Sequence, residues 1–338
     1  MNRINYLITG ANGEVGHGII TALSQQKETN IIALDINPLD EILKQQVSVF
    51  LQGDVTDPKV LGIVKEHNFD VVYHLASLLS TKAENDPFLA HEVNVNSTLC
   101  LIKGLLDQGQ KNCKTIKFIY PSSIAVYGVN KYRNKNDKLP IEEHEFLKPI
   151  TMYGCNKLYI ENIGNYFAHY YNNLICNSET NFLLDFRCVR FPGLISAQTI
   201  PTGGTSDFGP ELLHHAASGR EYSCFVRPDT VLPFMIMPDA INSLMMLEAA
   251  EQEKLKQHVY NVTSFSVSAS DFFDVANQHF HGLKITWEID EGRQKIVDSW
   301  PEIVSDHAAR RDWGWAPMYD REKSFREYLI PALRERYK

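Results

Sequence analysis

Tyr153 and Lys157 stand four residues apart in a stretch, Thr151 to Tyr171, that reads as a helix. Side chains at that spacing emerge from one helical face. An ammonium a few ångströms from a phenol favours the phenolate and draws its pKa down from about 10. A tyrosine poised in this way can take the proton of a substrate hydroxyl while hydride leaves the adjacent carbon, and a serine can hold the same oxygen in place. Ser123, in Pro121-Ser122-Ser123 after the apolar strand Ile116 to Tyr120, is the candidate for that second task. Tyr-x-x-x-Lys alone occurs by chance in any lysine-bearing helix. Its weight here comes from the elements around it.

Hydride transfer needs an acceptor, and the N-terminal stretch has the build of a dinucleotide site. Tyr6 to Thr9 is an apolar run suited to a buried parallel strand, and it ends in Gly10-Ala11-Asn12-Gly13-Glu14-Val15-Gly16. A helix follows through His17 to Leu23, then a second strand, Ile31 to Leu34, closes on Asp35. In such a βαβ unit the glycines permit a tight turn, close approach of a pyrophosphate and close helix packing, while the helix N-terminus supplies N–H donors. The glycine spacing is three and three, where the usual fingerprint has two and three. Asp35 suits the ribose hydroxyls and would repel a 2′-phosphate. With no Arg or Lys in Ile36-Asn37-Pro38, NAD is expected rather than NADP.

Further strands follow at Val47 to Leu51, Asp70 to Ala76 and Ile116 to Tyr120, with helical stretches between them. That alternation predicts an α/β fold, a Rossmann-type doubly wound parallel sheet with right-handed crossovers. Ligands bind at the carboxyl edge of such a sheet, where Gly10 to Gly16, Asp35, Asp54, Ala76 to Ser80 and Ser123 all fall. Asp54 reads equally as a cap for the next helix or as a group meeting an adenine. His74, inside a strand, reads as a satisfied core histidine, and Asn94, in the helix expected from Pro87 to Leu106, reads first as a buried polar residue. The polar stretch Val129 to Ile150, with Lys131, Arg133, Lys135 and Lys138, reads as a solvated surface excursion.

The 338 residues are enough for one large α/β domain, or a domain with an appendage. A hydrophobic content of 44% and a charged content of 22% are ordinary for a globular protein. The net charge of −8, without basic clusters, argues against nucleic acid and anionic membranes as partners. The cysteines, Cys100, Cys113, Cys155, Cys176, Cys188 and Cys224, are scattered and expected to be reduced, and no metal-ligand spacing occurs. With no leader peptide and no membrane span in view, a cytoplasmic location is the default expectation.

Taken together, the glycine loop, Asp35, Ser123 and the Tyr153–Lys157 pair resemble the short-chain dehydrogenase/reductase superfamily in its extended, epimerase-like branch, over Tyr6 to about Tyr319. The resemblance implies that Gly10, Asn12, Gly13, Glu14, Val15 and Gly16 line the pyrophosphate and that Asp35 holds the adenosine ribose. It likewise implies that Asp54 and Val55 meet the adenine, that Leu75, Ala76, Ser77 and Asn94 flank the middle of the cofactor, and that Tyr153 and Lys157 reach the nicotinamide ribose. Residues 1–193 are expected to form the NAD-binding domain, with a strand returning near 234–262, and 194–233 with 263–338 a smaller substrate lobe.

Nucleotide-sugar members of the branch carry Arg-x-x-Asn-x-Tyr-Gly where this chain has Arg190-Phe191-Pro192-Gly193-Leu194. Asp298-Ser299-Trp300-Pro301 and Asp312-Trp313-Gly314-Trp315 are instead similar to the short-chain L-threonine 3-dehydrogenases. That similarity implies oxidation of L-threonine at C3 to 2-amino-3-oxobutanoate, handed on to a CoA ligase or decarboxylated to aminoacetone. Ser80, Ser123, Tyr153 and Thr205 are the candidate substrate contacts, with Trp300 closing the pocket. Asp207, in the loop Pro201 to Phe208 with Gly203 and Gly204, suits an N-cap better than a partner for the substrate ammonium. A homodimer is also implied, through the helices at Pro87 to Leu106 and Thr151 to Tyr171. A nucleotide-sugar epimerase or dehydratase and a non-catalytic NAD sensor are the alternatives.

Overall fold

The computed structural model describes residues 3–129, 139–171, 184–201, 203–280 and 282–338. Lys131, Arg133, Lys135, Lys138, Cys176, Thr202 and the start of the strand expected from Phe182 lie outside the described residues. In chain order the strands are β1 (Ile4–Thr9), β2 (Thr29–Asp35), β3 (Val49–Gln52), β4 (Val71–His74), β5 (Ile116–Ser123), β6 (Leu184–Phe191), β7 (Gly193–Ile195), β8 (Tyr222–Cys224), β9 (Val231–Ile236), β10 (Val259–Asn261), β11 (Phe265–Ser268) and β12 (Ile285–Trp287).

The apolar runs become the main sheet, of order β10-β6-β5-β4-β1-β2-β3. The pairs β1–β2, β2–β3, β1–β4 and β4–β5 are parallel. From β1 the chain winds outward to β2 and β3, then crosses back to β4, β5 and β6. The reversal falls between β1 and β4, and ligands of open α/β sheets sit outside the strand ends at such a switch point. The fold is thus the doubly wound one expected. Of the strands near 234–262, β10 does return to this sheet, whereas β9 pairs with β7 and β11 in a separate three-stranded sheet. A short buried run reveals that it is covered, and leaves its neighbour open.

The chain divides into two units, Met1–Ser122 with Cys155–Val189 and Leu244–Val259, and Ser123–Gly154 with Arg190–Ser243 and Tyr260–Lys338. Residues 123–154, 190–193, 234–243 and 260–262, expected with the nucleotide-binding part, group with the second unit, which is accordingly no small lobe.

In the first unit Leu7, Ile32, Leu34, Val72, Phe118 and Phe186 are fully buried in one cluster. Phe186 stacks on Phe118 with centroids 6.0 Å apart. The helix Met152–His169 comes down onto the same ring through Gly164, where a Cβ would stand 2.4 Å from the Phe186 side chain. The helix expected from Pro87 to Leu106 is interrupted: Pro87–His91 and Ser97–Asn112 are α-helical, and Glu92–Asn96 between them is a wide π turn.

In the second unit several sequence motifs turn out to build the frame. Arg227 grips both oxygens of Asp298 at 3.1 and 2.8 Å. Asp312 accepts the Tyr260 hydroxyl at 3.0 Å. Gly314, at φ 72°, ends the helix His307–Trp313 in the left-handed conformation glycine adopts freely. Trp313 and Trp315 then pack together in the interior, 5.9 Å between centroids. Among the described residues no helix is long and apolar enough to cross a membrane, and no cluster of three or more His, Cys, Asp or Glu could hold a metal ion.

Gly10 is where β1 meets β4: its φ is +67°, and a Cβ there would stand 2.6 Å from the Ala76 nitrogen. Gly10→Ala is therefore expected to cost about 1–3 kcal/mol of stability, read as a lower midpoint of denaturant unfolding. An unchanged midpoint would mean the two strand ends are not held this close.

Candidate active site

Of the residues expected to meet the dinucleotide, all but Tyr153 lie in the first unit. Glu14–Ser24 starts at Gly13, which is exposed and gives the helix no side-chain cap. The first N–H groups of a helix have no intrahelical acceptor, so those of Glu14, Val15 and Gly16 are donors for an anion at this end. Gly16 lets the helix sit on the loop, since a Cβ there would come to 2.5 Å from the Ala11 carbonyl oxygen. Asp35 ends β2 almost buried and accepts from the Asn12 and Asn37 N–H groups at 2.9 and 2.8 Å. Two backbone bonds use about half of a carboxylate's acceptor sites. The remainder can take ribose hydroxyls, so an open N-terminus, a glycine cradle and an anchored acid fit NAD.

Asp54 folds a local turn, accepting from the N–H and hydroxyl of Thr56, both at 2.8 Å. The helix Pro58–Glu66 is capped by Asp57, which accepts from the Lys59 N–H at 2.8 Å. Asp54 is thus excused from capping and stays exposed, next to the buried Val55.

Leu75, Ala76 and Ser77 leave β4 as a half-buried loop. Its shape is imposed from below. Asn94, in the π turn, accepts from the Leu78 N–H at 2.7 Å and the Ser77 hydroxyl at 3.1 Å, and donates to the Leu78 carbonyl at 3.0 Å. Asn94 therefore acts on the loop and is 2% exposed. His74 lies under the same loop, its ring nitrogens 2.7 Å from the Thr9 hydroxyl and 2.8 Å from the Thr98 hydroxyl. Burial and the nearby Lys157 hold its pKa down at about 3. It is a neutral, satisfied core residue, as expected. Ser80 begins the short helix Ser80–Asn85 and is buried.

Lys157, 3% exposed, donates to the Pro121 carbonyl at 2.8 Å and lies 4.4 Å from the centre of the Tyr120 ring. Burial draws its pKa down to about 8, against the opposing pull of Cys188 and Glu161. It is still cationic at neutral pH.

Ser123 and Tyr153 belong to the second unit, and the structure brings the elements carrying them together. Ser123 closes β5 and caps the turn Ile124–Val126, accepting from the Ala125 N–H at 3.2 Å. Helix Met152–His169 starts against that turn: a Cβ on Gly154 would stand 2.1 Å from the Ala125 carbonyl oxygen. The buried Thr151 hydroxyl accepts from the Gly154 N–H at 3.1 Å. Gly154 and Thr151 set the position of Tyr153, and neither stood out in the sequence, where a helical glycine reads only as a weak spot. Burial pushes the Tyr153 phenol upward from its usual pKa, the reverse of the lowering expected from an ammonium alone.

Elsewhere in the second unit Thr205 and Trp300 are buried. Asp207 occupies the N-cap position of Phe208–Ala217, but its side chain makes no capping bond there. Its carboxylate turns back to accept from the Gly204 N–H at 2.5 Å, so it braces the loop where a helix cap was expected.

Asn94→Ala should leave the fold intact and weaken NADH binding about ten-fold, through loss of the bonds that shape residues 77–78. Fluorescence titration of NADH checks this. Lys157 yields a stability test with a definite sign. Its folded pKa of about 8 lies below the ordinary 10.5, so the unfolded chain keeps a proton that the folded chain sheds between those values. Folding is accordingly penalised below about pH 8, and the penalty fades as pH rises through this window. Lys157→Met should therefore be at least as stable as the parent at pH 7, with the gap narrowing toward pH 10.5. Denaturant midpoints at both ends would show it.

The profile of the NAD dependent epimerase/dehydratase family matches residues 6–263. The mitochondrial L-threonine 3-dehydrogenase of Bos taurus is 32% identical over 93% of this chain and 79% of its own length. An uncharacterized epimerase/dehydratase of Staphylococcus haemolyticus is 31% identical over 99% of both chains. Among solved structures, L-threonine dehydrogenase from Clostridium difficile matches with a TM-score of 0.82 and 31% identity, covering 100% of this chain and 99% of its own. A monomeric L-threonine 3-dehydrogenase from a metagenome matches with a TM-score of 0.82 and 32% identity, covering 98% of this chain and 100% of its own. The monomer among them removes any inference of a homodimer from resemblance alone. The switch-point crevice, its glycine cradle and acid, and a match across most of the chain place this protein in the NAD dependent epimerase/dehydratase family, the extended short-chain dehydrogenase/reductases, as an enzyme that uses NAD.

Proposed function

We propose that the chain is an NAD-dependent L-threonine 3-dehydrogenase. The observation that carries this reading is the junction at Gly154, which seats the first turn of the Tyr153 helix on the turn capped by Ser123. Two relatives and several solved structures bearing the threonine dehydrogenase name, similar over nearly the whole chain, support the substrate. NAD, when bound, supplies the acceptor for the hydrogen leaving threonine C3 with its electron pair. Ser123 donates a hydrogen bond to the C3 oxygen and holds it toward Tyr153. Tyr153 takes the hydroxyl proton as C3 becomes a carbonyl. Burial raises the pKa of the Tyr153 phenol, and in this reading Lys157, one helical turn on and cationic at neutral pH, is the charge that favours the phenolate during turnover. The product is 2-amino-3-oxobutanoate, a β-keto acid that a CoA-dependent ligase would consume before it loses CO2.

The sugar reading has less support. Arg190, which begins the departing motif, is engaged inside the second unit, donating to the Tyr127 hydroxyl at 2.8 Å and the Glu143 carbonyl at 2.7 Å. A nucleotide-sugar epimerase would purify with NAD firmly held and would convert a UDP-sugar without net NADH.

With L-threonine and NAD, purified protein should release NADH across pH 7 to 10, roughly the range bracketing lysine and tyrosine titration. Tyr153→Phe should lose at least about 100-fold in kcat, the scale of a general base, while NADH titrates as before. No NADH from L-threonine at any pH in that range would refute the assignment.

A further inference from the structure

The loop that carries Thr205 is pinned by a side chain the sequence gave no reason to single out. Gly203 has φ +88°, and Gly204 approaches Asp207 so closely that a Cβ would stand 2.8 Å from its carboxylate. Two glycines in succession leave a loop entropically costly to fix. Arg293, near the start of the helix Glu291–Val297, supplies the restraint. It donates to the Gly204 carbonyl at 2.7 Å and more weakly to the Gly203 carbonyl at 3.4 Å, while Asp207 takes the Gly204 N–H from the other side. The guanidinium is fixed in turn by lying 3.3 Å from the centre of the buried Phe225 ring, a stacking that suits its planar, weakly hydrated cation. Asp290 anchors this helix at its start, accepting from the Gly292 and Arg293 N–H groups at 2.9 and 3.0 Å. At the other end the chain runs directly into Trp300, whose backbone N–H reaches back to the Val297 carbonyl at 3.0 Å.

We infer that Arg293 is a positioning residue for the amino-acid substrate: it ties the Thr205 loop to the helix that leads into Trp300, so that one rigid element sets both. This rests on the reading of Thr205 and Trp300 as substrate contacts, and it assigns Arg293 no contact with substrate. Its Nη2 makes both bonds to backbone carbonyls, while its buried Nε makes none. A lysine in its place has the charge without the planar group that stacks on Phe225, and so loses the contact that holds the donor at the two carbonyls.

The test compares the parent with Arg293→Lys and Arg293→Met in three measurements: kinetics on L-threonine, NADH titration, and hydrogen exchange of the peptide spanning 203–207. Arg293→Met should raise KM for L-threonine about ten-fold or more, the loss expected for a charge-assisted hydrogen bond. Its kcat should change less, NADH affinity not at all, and exchange at 203–207 should quicken. Arg293→Lys should fall between, and serves alone if the methionine variant does not fold. Unchanged exchange and unchanged KM in both variants would overturn the inference. A parent without threonine activity would instead defeat the substrate assignment, and quickened exchange in Arg293→Met would then still establish the latch.

Discussion

The bond from the Lys157 ammonium to the Pro121 carbonyl is the constraint on which the proposed site depends. It fastens the helix Met152–His169 to the end of β5, and both elements run on from that point to the residues of interest, the strand to Ser123 and the helix back to Tyr153. Burying a cation is expensive unless its donors are met. Here the carbonyl at 2.8 Å and the Tyr120 ring at 4.4 Å meet them, and the residual cost shows as a pKa drawn down to about 8. The protein bears that cost at a position 3% exposed. Such an expense is typical of sites whose groups are tuned for work rather than for stability.

A second polar line supports the cofactor edge from within the core. Thr9, His74 and Thr98 join β1 and β4 to the helix beneath, and Thr98 passes the connection to the Asn94 carbonyl at 2.8 Å. A buried network of this kind is worth keeping only when every member is satisfied. Both nitrogens of His74 are, so the ring stays neutral and works as a spacer. The result is a half-buried loop at Leu75 to Leu78 whose backbone is set by buried groups.

Much of this was legible in the residue order, because glycines with a fixed acid beyond them answer to backbone and ribose geometry that few alternatives share. Gly10 and Asp35 lie at the strand ends such a unit needs, with Gly16 in the helix between them, and the doubly wound parallel class of the sheet follows from the alternation of apolar runs with helices, though its strand order does not. Other features depend on contacts between segments remote in sequence. Gly154 matters because of Ala125, Arg293 because of Gly203 and Gly204, and nothing in the local pattern announces either pairing. Asp57 rather than Asp54 caps its helix, and Asp207 turns back on its own loop. In both, more than one N–H lay within reach of a short acidic side chain, and spacing alone does not choose between them. β9 went to another sheet for the same reason: apolar residues record that a strand is covered without recording by what.

The π turn at Glu92–Asn96 has a bearing on how this protein tolerates change. A wide turn accommodates one residue more than a regular helix needs. Each helical residue advances by about 100° around the axis. Deleting a single amino acid here would let the segment relax into an unbroken helix, and would rotate the Asn94 amide by roughly that angle, out from under Ser77 and Leu78. The chain would gain regularity and surrender its grip on the loop. A one-residue deletion in this stretch should therefore disturb the loop at Ser77 and Leu78 as much as removal of the Asn94 side chain itself.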